Sequence, residues 1–97
     1  SKFDGIIALA LIHHLCIAKN IPLEEAINWL VSYAPKGIIE FVPKNDETIK
    51  RMLQIRKDIF TQYNKENFEK LLNKKAKITY MQKVSSSGRT LYEYSKI

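Results

Sequence analysis

Apolar residues run along this chain in two rhythms. Phe3 to Ala10 (FDGIIALA) is almost unbroken after Asp4, as in a strand buried on both faces. Leu11, Leu15 and Ala18 then stand at i, i+4 and i+7, which predicts passage into a short helix ending at Ala18, with Asn20 and Pro22 as punctuation. A second helix is predicted over 22–34. Pro22 stands at its mouth, Glu24 and Glu25 lie in its first turn, where the helix dipole favours carboxylates, and Pro35 stops it. Leu23, Ala26, Ile27, Leu30 and Ala34 form its apolar stripe, flanked by Trp29 and Tyr33. IIEFV (38–42) is a second short strand, closed by Pro43. Asn45-Asp46 caps a helix over 47–60 and Asn64 a shorter one over 65–73.

The period then changes from 3.6 to 2. In KITYMQKV (77–84), Ile78, Tyr80 and Val84 alternate with Lys77, Thr79 and Lys83, as in a half-exposed strand. SSSG (85–88) is a flexible loop, and TLYEYS (90–95) alternates again, which predicts a hairpin. The fold class is therefore α/β. Two buried strands joined through helices form a parallel pair with a right-handed crossover, and the hairpin adds an antiparallel edge to a mixed four-stranded sheet.

Ninety-seven residues allow a single domain spanning 1–97. The net charge of +6 favours anionic partners. Between Lys44 and Lys77, however, the cations alternate with Asp46, Glu47, Asp58, Glu66 and Glu69, the pattern of a solvated mixed surface. Lys70, Lys74, Lys75 and Lys77 gather at the end of a helix, where cations are favoured anyway. A free-standing basic binding module for nucleic acid or another anionic partner is the alternative reading, without an RNA-binding aromatic signature or phosphate loop behind it. The single cysteine, Cys16, excludes an internal disulfide and fits a small buried hydrophobe in a reducing cytoplasm. Lys2 and the run after it mimic a signal peptide, but Asp4 and the histidines interrupt the pattern. The run also falls short of the roughly 20 residues a membrane helix needs, so no membrane partner is expected.

The candidate chemistry lies where the strands end. His13 and His14 are adjacent, so on a helix their rings diverge by about 100° and on a strand they face opposite sides. They do not aim at one ion, and no metal site is expected. Either one ring packs and the other reaches a cleft edge, or both line the crevice that open α/β sheets offer at the carboxyl ends of their strands. Glu40 interrupts an apolar strand and needs a cationic partner or a place at the same crevice.

FDGIIALALIHHL (3–15) resembles the fourth-strand segment of class I S-adenosylmethionine-dependent methyltransferases. GIIEFVPK (37–44) is similar to their fifth strand, and RTLYEY (89–94) to their antiparallel seventh. The likeness is strongest to the bacterial nodulation-protein-like methyltransferases, and it covers nearly the whole chain. It implies the C-terminal half of a Rossmann-like sheet with strand order 1-2-4-3, the last strand antiparallel. The family's Gly-rich cofactor turn is missing: Gly5, Gly37 and Gly88 form no Gly-x-Gly pattern. The resemblance thus implies a partial domain whose partner is the N-terminal half of the same domain. S-adenosylmethionine would be the cofactor of the full-length enzyme, with no tight binding to this fragment. Carried over, Leu9 and Ala10 would contact the cofactor, and Ala10 stands where many members have Asp or Asn. His13 and His14 would be catalytic, with Glu40, Phe41 and Pro43 on the substrate side. The implied reaction is attack by a substrate nucleophile on the sulfonium methyl, oriented by the protein, with a neutral histidine taking the acceptor's proton. The fragment alone is expected to be inactive. Its first strand, left with an unpaired edge, invites self-association.

Overall fold

The computed structural model describes residues 5–8, 11–55 and 57–97, with the side chains of 5–8 left undescribed. Strand β1 (Gly5–Ala8) is followed by a single α-helical turn, α1 (Leu11–His13), which runs into a π-helical segment (His14–Ala18). Next come α2 (Leu23–Tyr33), β2 (Lys36–Phe41), α3 (Glu47–Ile55), α4 (Lys65–Lys75), β3 (Ala76–Lys83) and β4 (Thr90–Lys96). Phe3 and Asp4, at the start of the predicted first strand, and Leu9 and Ala10, at its end, lie outside the described residues.

The strands form one mixed sheet in the order β1-β2-β4-β3. β1 runs parallel to β2, with Ile7 opposite Ile38. β4 is antiparallel to β2 and to β3, so β2, β4 and β3 make a three-stranded antiparallel unit. The alternation of β2 decides what the sheet buries. Ile39 and Phe41 enter the core, together with Tyr92 and Tyr94 of β4, while Ile38 and Glu40 take the other face. The helices supply the second layer through Ile12, Ile17, Ile27, Leu30, Phe68 and Leu72, all fully buried. Each such side chain contributes about 1.5–3 kcal/mol on removal from water.

An aromatic cluster joins the layers. Phe41 stacks on Tyr63 at 4.9 Å and meets Phe68 at 5.0 Å, and Phe68 meets Tyr92 at 5.0 Å. The buried phenols keep their hydrogen bonds. Tyr63 donates to the Val42 carbonyl (2.5 Å), Tyr92 to Glu69 (2.6 Å) and Tyr94 to the Ala34 carbonyl (2.8 Å), so little polar surface is stranded.

Four boundaries differ from expectation. α3 ends at Ile55 rather than near Phe60. Asp58 instead pairs with Lys44 at 3.0 Å and accepts the Phe60 N–H at 3.1 Å, a local turn that competes with the helix. α4 continues to Lys75 and passes without a loop into β3. In β3 the pairing shifts between Ile78 and Tyr80. The extra residue, Thr79, breaks the expected alternation, as a bulge does, and turns Tyr80 to the exposed face opposite Glu93.

The fourth difference is the SSSG loop, which is tied down rather than flexible. Ser85 Oγ accepts the Arg89 N–H at 3.0 Å, and the Gly88 N–H reaches the Ser85 carbonyl at 3.2 Å. Gly88 has φ +103, and a Cβ there would meet Pro43 Cγ at an ordinary 3.4 Å. The barrier to a side chain is therefore conformational rather than steric. Gly88→Ala is expected to cost about 1–2 kcal/mol, read as a lower urea midpoint; an unchanged midpoint would contradict the turn's role.

Candidate functional site

Because β1 and β2 are parallel and Phe41 opposes Thr90, the end of β2 and the start of β4 meet at one end of the sheet. The helical segment that follows β1 packs against the same end. There the histidine doublet divides. His13, which closes α1, is only 6% exposed, whereas His14 is exposed. His14 opens the π-helical turn, its carbonyl accepting the Lys19 N–H at 3.2 Å. Such widened turns often accompany functional sites.

Beside His13 lies a polar cluster built from three separate stretches. Asp46 caps α3 by accepting the Thr48 N–H at 3.0 Å, as an acidic N-cap does. The same carboxylate takes Arg89 in a two-pronged bond, Nε at 2.8 Å and Nη2 at 2.9 Å. Arg89 Nη2 also donates to Thr48 Oγ1 at 2.8 Å, and Ser87 Oγ donates to Asp46 at 2.5 Å. Arg89 Nη1 stands 3.9 Å from Glu40, the cationic partner that a carboxylate in an apolar strand requires. Bidentate guanidinium–carboxylate pairing fixes orientation as well as charge, so the Arg89 cation is held in place.

Electrostatics sort the protons. The Arg89 hydrogen bond, helped by those from Ser87 and Thr48, holds the Asp46 carboxyl well below the usual carboxylate range. Burial first, then the Arg89 charge, lowers the His13 pKa, with Glu40 and Asp46 acting the other way. His13 is therefore neutral at pH 7, and its buried Nδ1 has no hydrogen-bond partner among the described residues. A neutral imidazole that feels a fixed guanidinium and two carboxylates has, when its proton is on Nε2, the chemistry of a proton acceptor at Nδ1.

Both shifts act in the same direction on stability. The unfolded chain protonates His13 near pH 6.5, while the folded ring resists. Stability is thus complete above about pH 6.5 and declines as pH falls toward the folded pKa. Asp46 adds a second loss that begins only below about pH 4. Urea unfolding at pH 7.5 and 5.0 should show a lower midpoint at pH 5.0, and His13→Gln should shrink that difference. Equal pH sensitivity in the variant would contradict the assignment.

The other sequence candidates fall in different places. Glu40 belongs to the cluster. Phe41 lies on the opposite face from Glu40, its ring fully buried in the aromatic core. Pro43 is partly exposed beside Gly88, and its carbonyl accepts the Asp46 N–H at 3.0 Å. Leu9 and Ala10 lie outside the described residues. Burial pushes the Cys16 thiol up to about 12, which removes it as a nucleophile at neutral pH. Lys70, Lys74 and Lys75 are exposed on α4, away from the cluster. Sequence reasoning did not single out Ser87 or Arg89, and it credited Asp46 only with capping. The available signal was an arginine directly after a glycine turn, with a capping aspartate elsewhere.

Among the described residues no group of three or more His, Cys, Asp or Glu could hold a metal ion. No helix among them is long and apolar enough to cross a membrane. Nodulation protein NoeA of Rhizobium meliloti (strain 1021) is 50% identical to the chain over 93 residues, which are 96% of this chain and 20% of that protein. The chain thus spans about a fifth of the length of the curated relative it matches. No family model matches the chain, and no solved structure matches it.

Proposed function

We propose that this chain forms the acceptor side of a methyl-transfer crevice in a nodulation protein. The observation that carries the reading is the buried Nδ1 of His13, unpartnered among the described residues and electrostatically coupled to Arg89, Glu40 and Asp46 at the end of the sheet. An unmatched buried polar atom costs about 1–3 kcal/mol, and a ligand hydroxyl or amine removes that cost where the groups covering Nδ1 move to admit it. The site lies where open α/β sheets bind ligands. The resemblance of three sequence segments to methyltransferase strands and the likeness to part of a nodulation protein support the same reading.

The chain's own residues supply acceptor chemistry rather than a cradle for S-adenosylmethionine. None of Gly5, Gly37 and Gly88 belongs to a Gly-x-Gly turn, and the described cluster offers one imidazole and an ion-paired set. When bound, the methyl donor supplies an electrophilic methyl group. His13 takes the acceptor's proton at Nδ1. Arg89, locked by Asp46, fixes the charge near the ring, and Glu40 offsets that cation. The buried setting excludes water from the imidazole.

Calorimetry of this chain alone with S-adenosylmethionine should show no micromolar binding. A protein that carries this segment at the length of the nodulation relative should bind the donor. Micromolar binding by the short chain, or none by the long one, would contradict the proposal.

A further inference from the structure

A concavity lies on the helix side of the sheet, apart from the His13 cluster. It is a cleft of about 350 Å³ between the start of α2, the 57–64 segment and α4, within the size range of small-molecule sites. Its floor includes Ile21, Phe60 and Leu71, all partly buried and packed against the core. Ile59 on the lip is 58% exposed, apolar surface that a ligand body would cover.

The wall formed by 57–64 is anchored at three points. Asp58 is held by Lys44, Tyr63 by the Val42 carbonyl, and Gln62 by the Asn67 amide at 2.9 and 2.7 Å. The cleft is therefore preformed and needs little ordering on binding. Its rim is charged unequally. Lys70 and Lys74, one helical turn apart on α4, stand on one side, and Glu24 of α2 lies on the other.

We propose that this cleft binds a small amphipathic carboxylate, with its apolar body on Ile21, Phe60 and Leu71 and its carboxylate toward Lys70 and Lys74. Glu24 directs the anionic end to the α4 side. This inference is independent of the methyl-transfer reading, since it uses none of the His13 cluster.

Amide chemical-shift titration of the chain with 3-phenylpropanoate, its neutral amide and 3-phenylpropylamine tests it. The acid should give saturable shifts centred on residues 21, 60 and 71. The amide should bind about fivefold more weakly, as expected from two exposed charge contacts, and the amine more weakly still. Lys70→Glu with Lys74→Glu, both on the exposed face of α4, should weaken the acid and leave the amide unchanged. Leu71→Trp should block all three, with retained amide dispersion as the control for folding. Equal binding of acid and amide, shifts centred elsewhere, an unaffected lysine variant or no saturable shift overturns the proposal.

Discussion

Replacing Asp46 by alanine is expected to lower stability by roughly 3 kcal/mol, the sum of about 1 for a lost N-cap and about 2 for an arginine deprived of its paired bonds. That is a large part of the 5–15 kcal/mol typical of a domain this size, and it corresponds to a melting-temperature drop of about 15 °C. The effect is large because one carboxylate performs two tasks. It accepts the otherwise orphaned Thr48 N–H at the start of α3, and it ties that helix start to the hairpin loop through Ser87 and Arg89. Asp46→Asn keeps a side-chain cap but not the charge, so it should cost about half as much. Adding Arg89→Met to Asp46→Ala should recover part of the loss, because no guanidinium is then left half-buried without its partner. Urea unfolding of the three variants measures these differences. Equal losses for alanine and asparagine would show that the charged pair with Arg89 matters and the cap does not.

The second large effect is functional. In a protein that carries this segment at full length and transfers methyl groups, His13→Ala should lower kcat by about 100-fold or more, the range of a lost general base. His13→Gln should not restore the rate, since an amide fills the space without accepting a proton at neutral pH. His14→Ala should change kcat little, because that ring is exposed and outside the cluster. The kcat profile of the wild type should fall on the acid side as His13 becomes protonated, at a pH below the ordinary histidine value. Equal losses in the two histidine variants would remove the basis for distinguishing them.

Much of the local structure was legible because it depends on neighbours in the chain. The stripe of Leu23, Ala26, Ile27 and Leu30 marks α2 by spacing alone, and all four are buried. Asn64 caps α4 as its side chain predicts, accepting the Asn67 N–H at 2.8 Å. Alternation in TLYEYS separates Tyr92 and Tyr94, in the core, from exposed Glu93. The mixed α/β character follows from such signals.

What remained illegible depends on residues far apart. The turn that ends α3 involves Lys44 and Asp58, 14 positions apart. The bulge at Thr79 is a matter of register with β4, where Thr79 Oγ1 bonds the Glu93 side chain at 2.8 Å. The Asp46–Arg89 pair spans 43 positions, and periodicity carries no trace of such a partner. The histidines are the mixed case. Their divergence follows from helix geometry, but which ring enters the cluster is decided by packing.

The most direct test of the central claim is a titration of the full-length protein with S-adenosylhomocysteine, the demethylated donor, observed through the ring nitrogens of His13 and the guanidinium of Arg89 by NMR. If the end of the sheet is a methyl-transfer crevice, both sets of signals shift on saturation while His14 changes little. Binding of the ligand with His13 and Arg89 unmoved, or no binding at all, would contradict it.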